Sequence, residues 1–155
     1  MSSQLQHIAD IITKAAGWKD AAPEADGVFR FSLEGGLDFS LLSPENRTAV
    51  LLADLGPAPD PASPQGSEDL RRIASLCAAS LKKRNSTVAL AEGRVELQRS
   101  FPMAQYGELD VRLAVRDFLN DVAWWQKQLN GDSVQGSSFT STSPFSFSFG
   151  DWFNG

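Results

Sequence analysis

The sequence predicts an α+β domain, a mostly antiparallel twisted sheet with helices packed on it. The element order is helix, three-stranded antiparallel meander, helix, β-hairpin and long C-terminal helix. Three patterns carry this prediction. From Gly27 to Gly56 apolar residues recur in successive short runs with strand periodicity. Glu92-Gly93 divides two further runs as a two-residue hairpin turn does. Val111, Val115, Phe118, Val122, Trp125 and Leu129 follow four-three-four-three-four spacing, one apolar face of a long helix.

The elements follow in chain order. Leu5, Ile8, Ile12 and Ala15 mark one face of a first helix from about Ser3 to Ala16, with Gly17 as its stop. Ile11 widens that stripe, so the helix is either deeply buried or partly kept for a partner. After a linker from Trp18 to Asp26, Phe29, Phe31 and Leu33 alternate with Arg30 and Ser32 in a first strand. Glu34-Gly35-Gly36 allows the reversal, and Leu37, Phe39 and Leu41 share one side of the second strand. The run Thr48 to Leu55 is apolar on both faces, as in a strand covered from two sides.

Pro57, Pro59, Pro61 and Pro64 make the next stretch an extended surface crossing. Ser67-Glu68-Asp69 caps a second helix, whose stripe is Leu70, Ile73, Cys77 and Leu81. Lys82-Lys83-Arg84 reads as a solvated C-terminus with cations at the negative helix pole, in preference to a phosphate site. In the hairpin, Val95 and Leu97 face inward while Arg94, Glu96 and Gln98 face out. Trp124 points away from the seam of the last helix, because adjacent helical residues sit about 100° apart.

Length and charge bound the class. The 155 residues suffice for one core, and the chain divides into a domain at 1–131 and a Ser/Phe-rich tail at 132–155. Its net charge of −5 without a basic stripe argues against nucleic-acid and anionic-membrane partners. The N-terminus lacks a basic run followed by an apolar one, so a reducing cytoplasm is the expected location.

Catalytic and metal patterns are missing. His7 is the single histidine and Cys77 the single cysteine, so neither a disulfide framework nor a zinc set is expected. Phosphate-loop, dinucleotide and serine-hydrolase signatures do not occur, and no cofactor or enzymatic activity is expected.

The tail is different in kind. Phe145, Phe147 and Phe149 alternate with serine, followed by Trp152, in a segment with almost no charge. Either it docks on its own domain, a second copy or a partner, or it is a mobile low-complexity tail.

Taken together, the element order and acidic charge resemble the class I type III secretion chaperones, the Tir-chaperone-like family. The resemblance runs from about Leu5 to Leu129. It is carried by Leu37 to Leu41, Thr48 to Gly56, Leu76 to Asn85 leading into Val88 to Ala91, Arg94 to Pro102 and Phe118 to Trp125. It implies a homodimer in the bacterial cytoplasm that binds the N-terminal segment of a secreted effector and keeps it soluble and partly unfolded. On that basis Ile8, Ile11, Ile12, Phe29, Phe31 and Phe39 are candidates for apolar effector-binding patches. Ile73, Cys77, Leu81, Val88 and Leu90 are candidates for the dimer seam. Phe145, Phe147, Phe149 and Trp152 are candidates to occupy an apolar groove until an effector displaces them. Two other readings use the same residues. One is an adaptor that binds a folded protein; the other is a ligand-binding or enzymatic domain with a polar pocket near Arg30 and Asp38.

Overall fold

A computed structural model of the chain describes residues 3–17, 23–33 and 37–130. Three helices, α1 (Ser3–Ala16), α2 (Pro64–Ser80) and α3 (Glu108–Asn130), accompany five strands. The strands are β1 (Phe29–Leu33), β2 (Leu37–Leu42), β3 (Thr48–Pro57), β4 (Thr87–Ala91) and β5 (Arg94–Pro102). They form one sheet in the order β1-β2-β3-β5-β4, and every neighbouring pair is antiparallel. The long β3–β5 pairing closes around α2 and β4, so the second half of the chain is stitched to the first through its centre.

The local chemistry accounts for the ends of these elements. Gly17, at φ +71°, stops α1 in the left-handed region that glycine reaches without strain. Glu92 and Gly93 both take positive φ (51° and 74°), matching the twist of the β4–β5 hairpin. At the start of α2 the sequence expectation needs correction. The helix begins one turn before Ser67, at Pro64, with Ser63 as its cap and the Ser63 Oγ accepting from the Gly66 N–H at 2.9 Å. Proline is favoured at this first position because its absent N–H would have no helical partner there. The extended crossing is correspondingly shorter, since Gly56 and Pro57 still belong to β3.

α1 and α3 pack together on one face of the sheet, and the core lies between them and that face. Val111, Val115, Phe118, Val122 and Trp125 are at most 1% exposed, as the spacing along α3 predicts. Phe31 stacks on Phe39 at 5.0 Å, and Phe39 meets the edge of Phe118 at 6.4 Å, joining both first strands to α3.

Arg84 is not a freely solvated end of a helix. It donates to Asp121, 2.7 Å away in α3, and Ser86 donates to the same carboxylate at 2.6 Å. Its guanidinium lies 4.3 Å above the Trp124 ring, which gives that tryptophan its separate role. Asp121 is only 5% exposed, so this cluster locks the α2–β4 connection onto α3.

Candidate functional site

Among the described residues the sheet has one covered face and one open face. In β1, β2, β3 and β5 burial alternates, with the inward row sealed and the outward row half-buried or exposed. The expectation that β3 is covered from both sides is therefore wrong. Ala49, Leu51 and Ala53 are buried, whereas Val50 and Leu52 reach the open face and are only half-buried.

Register places these side chains in a pattern. One ladder crosses all five strands from Arg30 to Ser40, Leu52, Gln98 and Thr87. The neighbouring row runs Leu42, Val50 and Ser100. Leu42, Val50 and Leu52 thus make an apolar stripe in the middle of a polar surface, across β2 and β3. A depression of about 450 Å³ opens beside the stripe, lined by Pro44, Thr48, Val50, Thr87, Gln98 and Ser100.

Charged groups stand at the margins of this face. Arg30 pairs with Glu24 and, at 2.9 Å, with Asp26. The guanidinium holds the Asp26 carboxyl below the usual carboxylate range, and the carboxylate raises Arg30 in turn. At the other end Arg94 lies 2.8 Å from Asp54 and lowers its pKa in the same way. These pairs are about half exposed and contribute little to stability. Their effect is to satisfy the charges locally and leave the centre of the face apolar.

Among the described residues the sheet has two unpaired margins, because β1 and β4 each pair on one side only. A second groove, of about 490 Å³, lies at the β1 margin between Leu5, Gln6, Val28, Phe29, Leu42 and Pro44. An unpaired strand edge offers backbone donors and acceptors to an incoming extended chain.

The residues singled out in the sequence divide clearly. Ile8, Ile11, Ile12, Phe29, Phe31 and Phe39 are between 1% and 6% exposed, all in the core. As an open apolar patch they are corrected: the widened stripe of α1 packs against α3 and the inner sheet face, and the closed chain presents none of the six. Of the seam candidates, Ile73 is also buried, while Cys77 and Val88 are half-buried. Leu81 and Leu90 are 75% and 56% exposed, which is unusual for leucine in this fold. α2 buries only Gly66, Ile73 and Ser80 among its described residues, and Ala74, Ala78 and Ala79 face water. Phe145, Phe147, Phe149 and Trp152 lie outside the described residues.

The Leu42–Val50–Leu52 stripe was missed in the sequence reading although its signal was present. A strand apolar on both faces, in a chain with too few helices to cover both, has one apolar row left over. Arg99 was missed as well. It sits on the inner row between Leu97 and Phe101, its side chain 10% exposed, and donates to the Ala114 carbonyl of α3 at 3.4 Å.

Burial raises the Cys77 thiol above its usual pKa, which disfavours the reactive thiolate. Among the described residues no group of three His, Cys, Asp or Glu side chains is placed to hold a metal ion. No described helix is long and apolar enough to cross a membrane.

By sequence, the chain matches no protein-family model and no curated protein. By structure, it is similar to the ExsC–ExsE complex (TM-score 0.65, 16% identity, covering 83% of this chain and 96% of that one). It is also similar to the HopA1–SchA chaperone–effector complex (TM-score 0.61, 16% identity, 81% and 96% covered). A third similar structure is the Yersinia pestis type III secretion chaperone SycH with a stable fragment of YscM2 (TM-score 0.52, 11% identity, 80% and 98% covered). The chain has the fold of the class I type III secretion chaperones, as the sequence resemblance implied.

Proposed function

We propose that this protein is a non-catalytic secretion chaperone that binds the N-terminal segment of a type III effector and keeps it soluble and partly unfolded. The observation that carries this reading is the apolar stripe Leu42–Val50–Leu52 on the open sheet face, carried by β2 and β3 one strand in from the β1 edge, which pairs with no other described strand. An extended peptide can add its backbone at such an edge and lay apolar side chains on the adjoining surface. The groove between Leu5, Phe29 and Pro44 lies at the same margin and offers a place for an anchoring side chain. The shared fold with solved chaperone complexes supports the same direction.

The working unit in this reading is a homodimer in the bacterial cytoplasm. The exposed Leu81 and Leu90, the small exposed face of α2 and the free edge of β4 support a seam there. Cys77 and Val88 lie half-buried beside it, whereas Ile73 faces inward.

Size exclusion with light scattering, with the full chain alone and mixed with N-terminal fragments of candidate effectors, tests the proposal. The expected result is a dimer that captures one fragment. Hydrogen exchange should show that fragment unprotected apart from its bound stretch. A monomer that captures no fragment refutes the chaperone reading. A fragment or protein that stays fully folded when bound favours the adaptor reading instead.

A further inference from the structure

A groove of about 450 Å³ separates the end of β3, α2 and the end of α3. Its lining is mixed: Leu55, Pro57, Ile73, Val95 and Leu129 form its apolar part, and Gln65, Asp69, Arg72 and Asn130 its polar part. Asn130, the last described residue, forms part of its wall, so the segment that begins at Gly131 is covalently joined to the groove. No other groove described above is joined to the chain in this way.

The sequence that follows matches the groove in pattern and reach. Residues 133–150 carry no charge, so burying them strips no ion of water. In an extended Pro144–Phe149, Phe145, Phe147 and Phe149 fall on one side and Ser146 and Ser148 on the other. One side suits the apolar part of the lining and the other its polar part. The spacer from Gly131 to Ser143 is mostly Ser, Thr and Gly, and a Gly/Ser-type linker of that length would have a root-mean-square reach of roughly 20 Å. A segment tethered that closely is held at an effective concentration of about the millimolar order, so modest affinity is enough to keep it in place.

We propose that Pro144–Phe149 docks in this groove of its own chain, with Phe145, Phe147 and Phe149 on its apolar part at Leu55, Ile73, Val95 and Leu129 and Trp152 at the end of the docked stretch. The docking stands apart from the chaperone reading. It uses a different surface from the Leu42–Val50–Leu52 stripe and needs no effector.

Photo-cross-linking tests it in the full chain, with p-benzoylphenylalanine in place of Phe147 and the protein kept dilute. The expected products join the probe to residues 55–73, Val95 or Leu129 within one chain. Cross-links to Leu42, Val50 or Leu52, cross-links that join two chains, or none at all overturn the proposal. Hydrogen exchange supplies a second measurement with F145S/F147S/F149S, a variant that alters no residue of the described core. Amides in 55–73 should exchange several-fold faster in the variant than in the parent chain. Equal rates overturn the docking, whatever the effector experiments show.

Discussion

Replacing Gly66 by alanine sets two known effects against each other, and the structure decides between them. Alanine is the better helix former by about 1 kcal/mol, so propensity alone predicts a more stable protein. Gly66, however, is buried where the Asp60–Ser63 turn folds back onto the first turn of α2. A Cβ there would meet the Asp60 carbonyl oxygen at 1.8 Å and the carbonyl carbon at 2.6 Å. Ordinary contact needs 3.4 Å, so the turn must retreat by 3.4 − 1.8 = 1.6 Å. Both contacts are backbone, which leaves no side-chain rotation to absorb the movement. A retreat of that size stretches the Ser63–Gly66 cap from 2.9 Å and the Ser67 N–H to Ser63 carbonyl bond from 3.0 Å beyond bonding range. Losing a cap costs about 1 kcal/mol and losing a backbone bond about the same. Residual crowding adds roughly 1 kcal/mol or more. After subtracting the propensity gain, G66A should be destabilised by about 2 kcal/mol, lowering Tm by roughly 4–8 °C for a domain of this size. Thermal melts followed by circular dichroism measure this directly. Adding G66A to S63A should cost less than the two single effects summed, since both remove the same cap. An unchanged or higher Tm for G66A refutes the packing argument.

Three other outcomes follow from the charged and titratable groups. Asp121→Ala should cost about 2–4 kcal/mol in urea melts, because it removes both the Arg84 and Ser86 bonds to a buried carboxylate. A cycle with Arg84→Met should show coupling above roughly 1 kcal/mol, and additivity would count against the lock. Asp54 has a lowered pKa in the folded chain, so its contribution is present above the unfolded value near 3.9 and is lost as pH falls through the folded value. Stability should therefore decline below about pH 4, with Arg94→Gln weakening the decline by no more than a few tenths of a kcal/mol, given the exposure of the pair. Cys77 should react with a disulfide reagent at pH 7.5 more slowly than free cysteine, and at the ordinary rate in denaturant. Equal rates in the folded chain would contradict its burial.

Most of the fold was legible because it rests on periodicity. Strand alternation, the Glu92-Gly93 turn and the α3 seam each appear where the pattern puts them, since each depends on a local repeat that one core face selects. The start of α2 was less legible. Ser63-Pro64 and Ser67-Glu68 are both helix-start signals, and the choice between them depended on Asp60 folding back to hold Ser63 through bonds of 3.1 and 3.2 Å. The site was harder still. A sequence marks a residue as apolar without telling which apolar rows become core. Ile8, Ile11 and Ile12 went inward because α3 lies beside α1, a long-range fact with no local trace. Arg84 likewise found Asp121 across 37 positions of sequence, and no helix-end rule predicts such a pairing.

An antiparallel sheet with one wet face normally keeps that face polar. The strands on either side do so here, through Arg30 and Ser32 on the edge strand β1 and Arg94, Glu96, Gln98 and Ser100 on β5, which lies between β3 and β4. The β2–β3 centre departs, at Leu42, Val50 and Leu52. Strand propensity does not require this, because threonine serves a half-exposed strand position nearly as well as valine. Helix packing does not require it either, as the inner row is already sealed by Ala49, Leu51 and Ala53. If the stripe serves only the fold, V50T/L52T should lose several kcal/mol, as large core truncations do. If it serves a partner, the variant should stay within about 1 kcal/mol of the parent in urea, in the range of surface substitutions. Capture of effector fragments should then fall by tenfold or more, since the apolar centre of an interface carries most of its affinity. The pair of measurements separates the cases: lost capture with intact stability supports a binding face, whereas lost stability, or intact capture, removes the reason for calling it one.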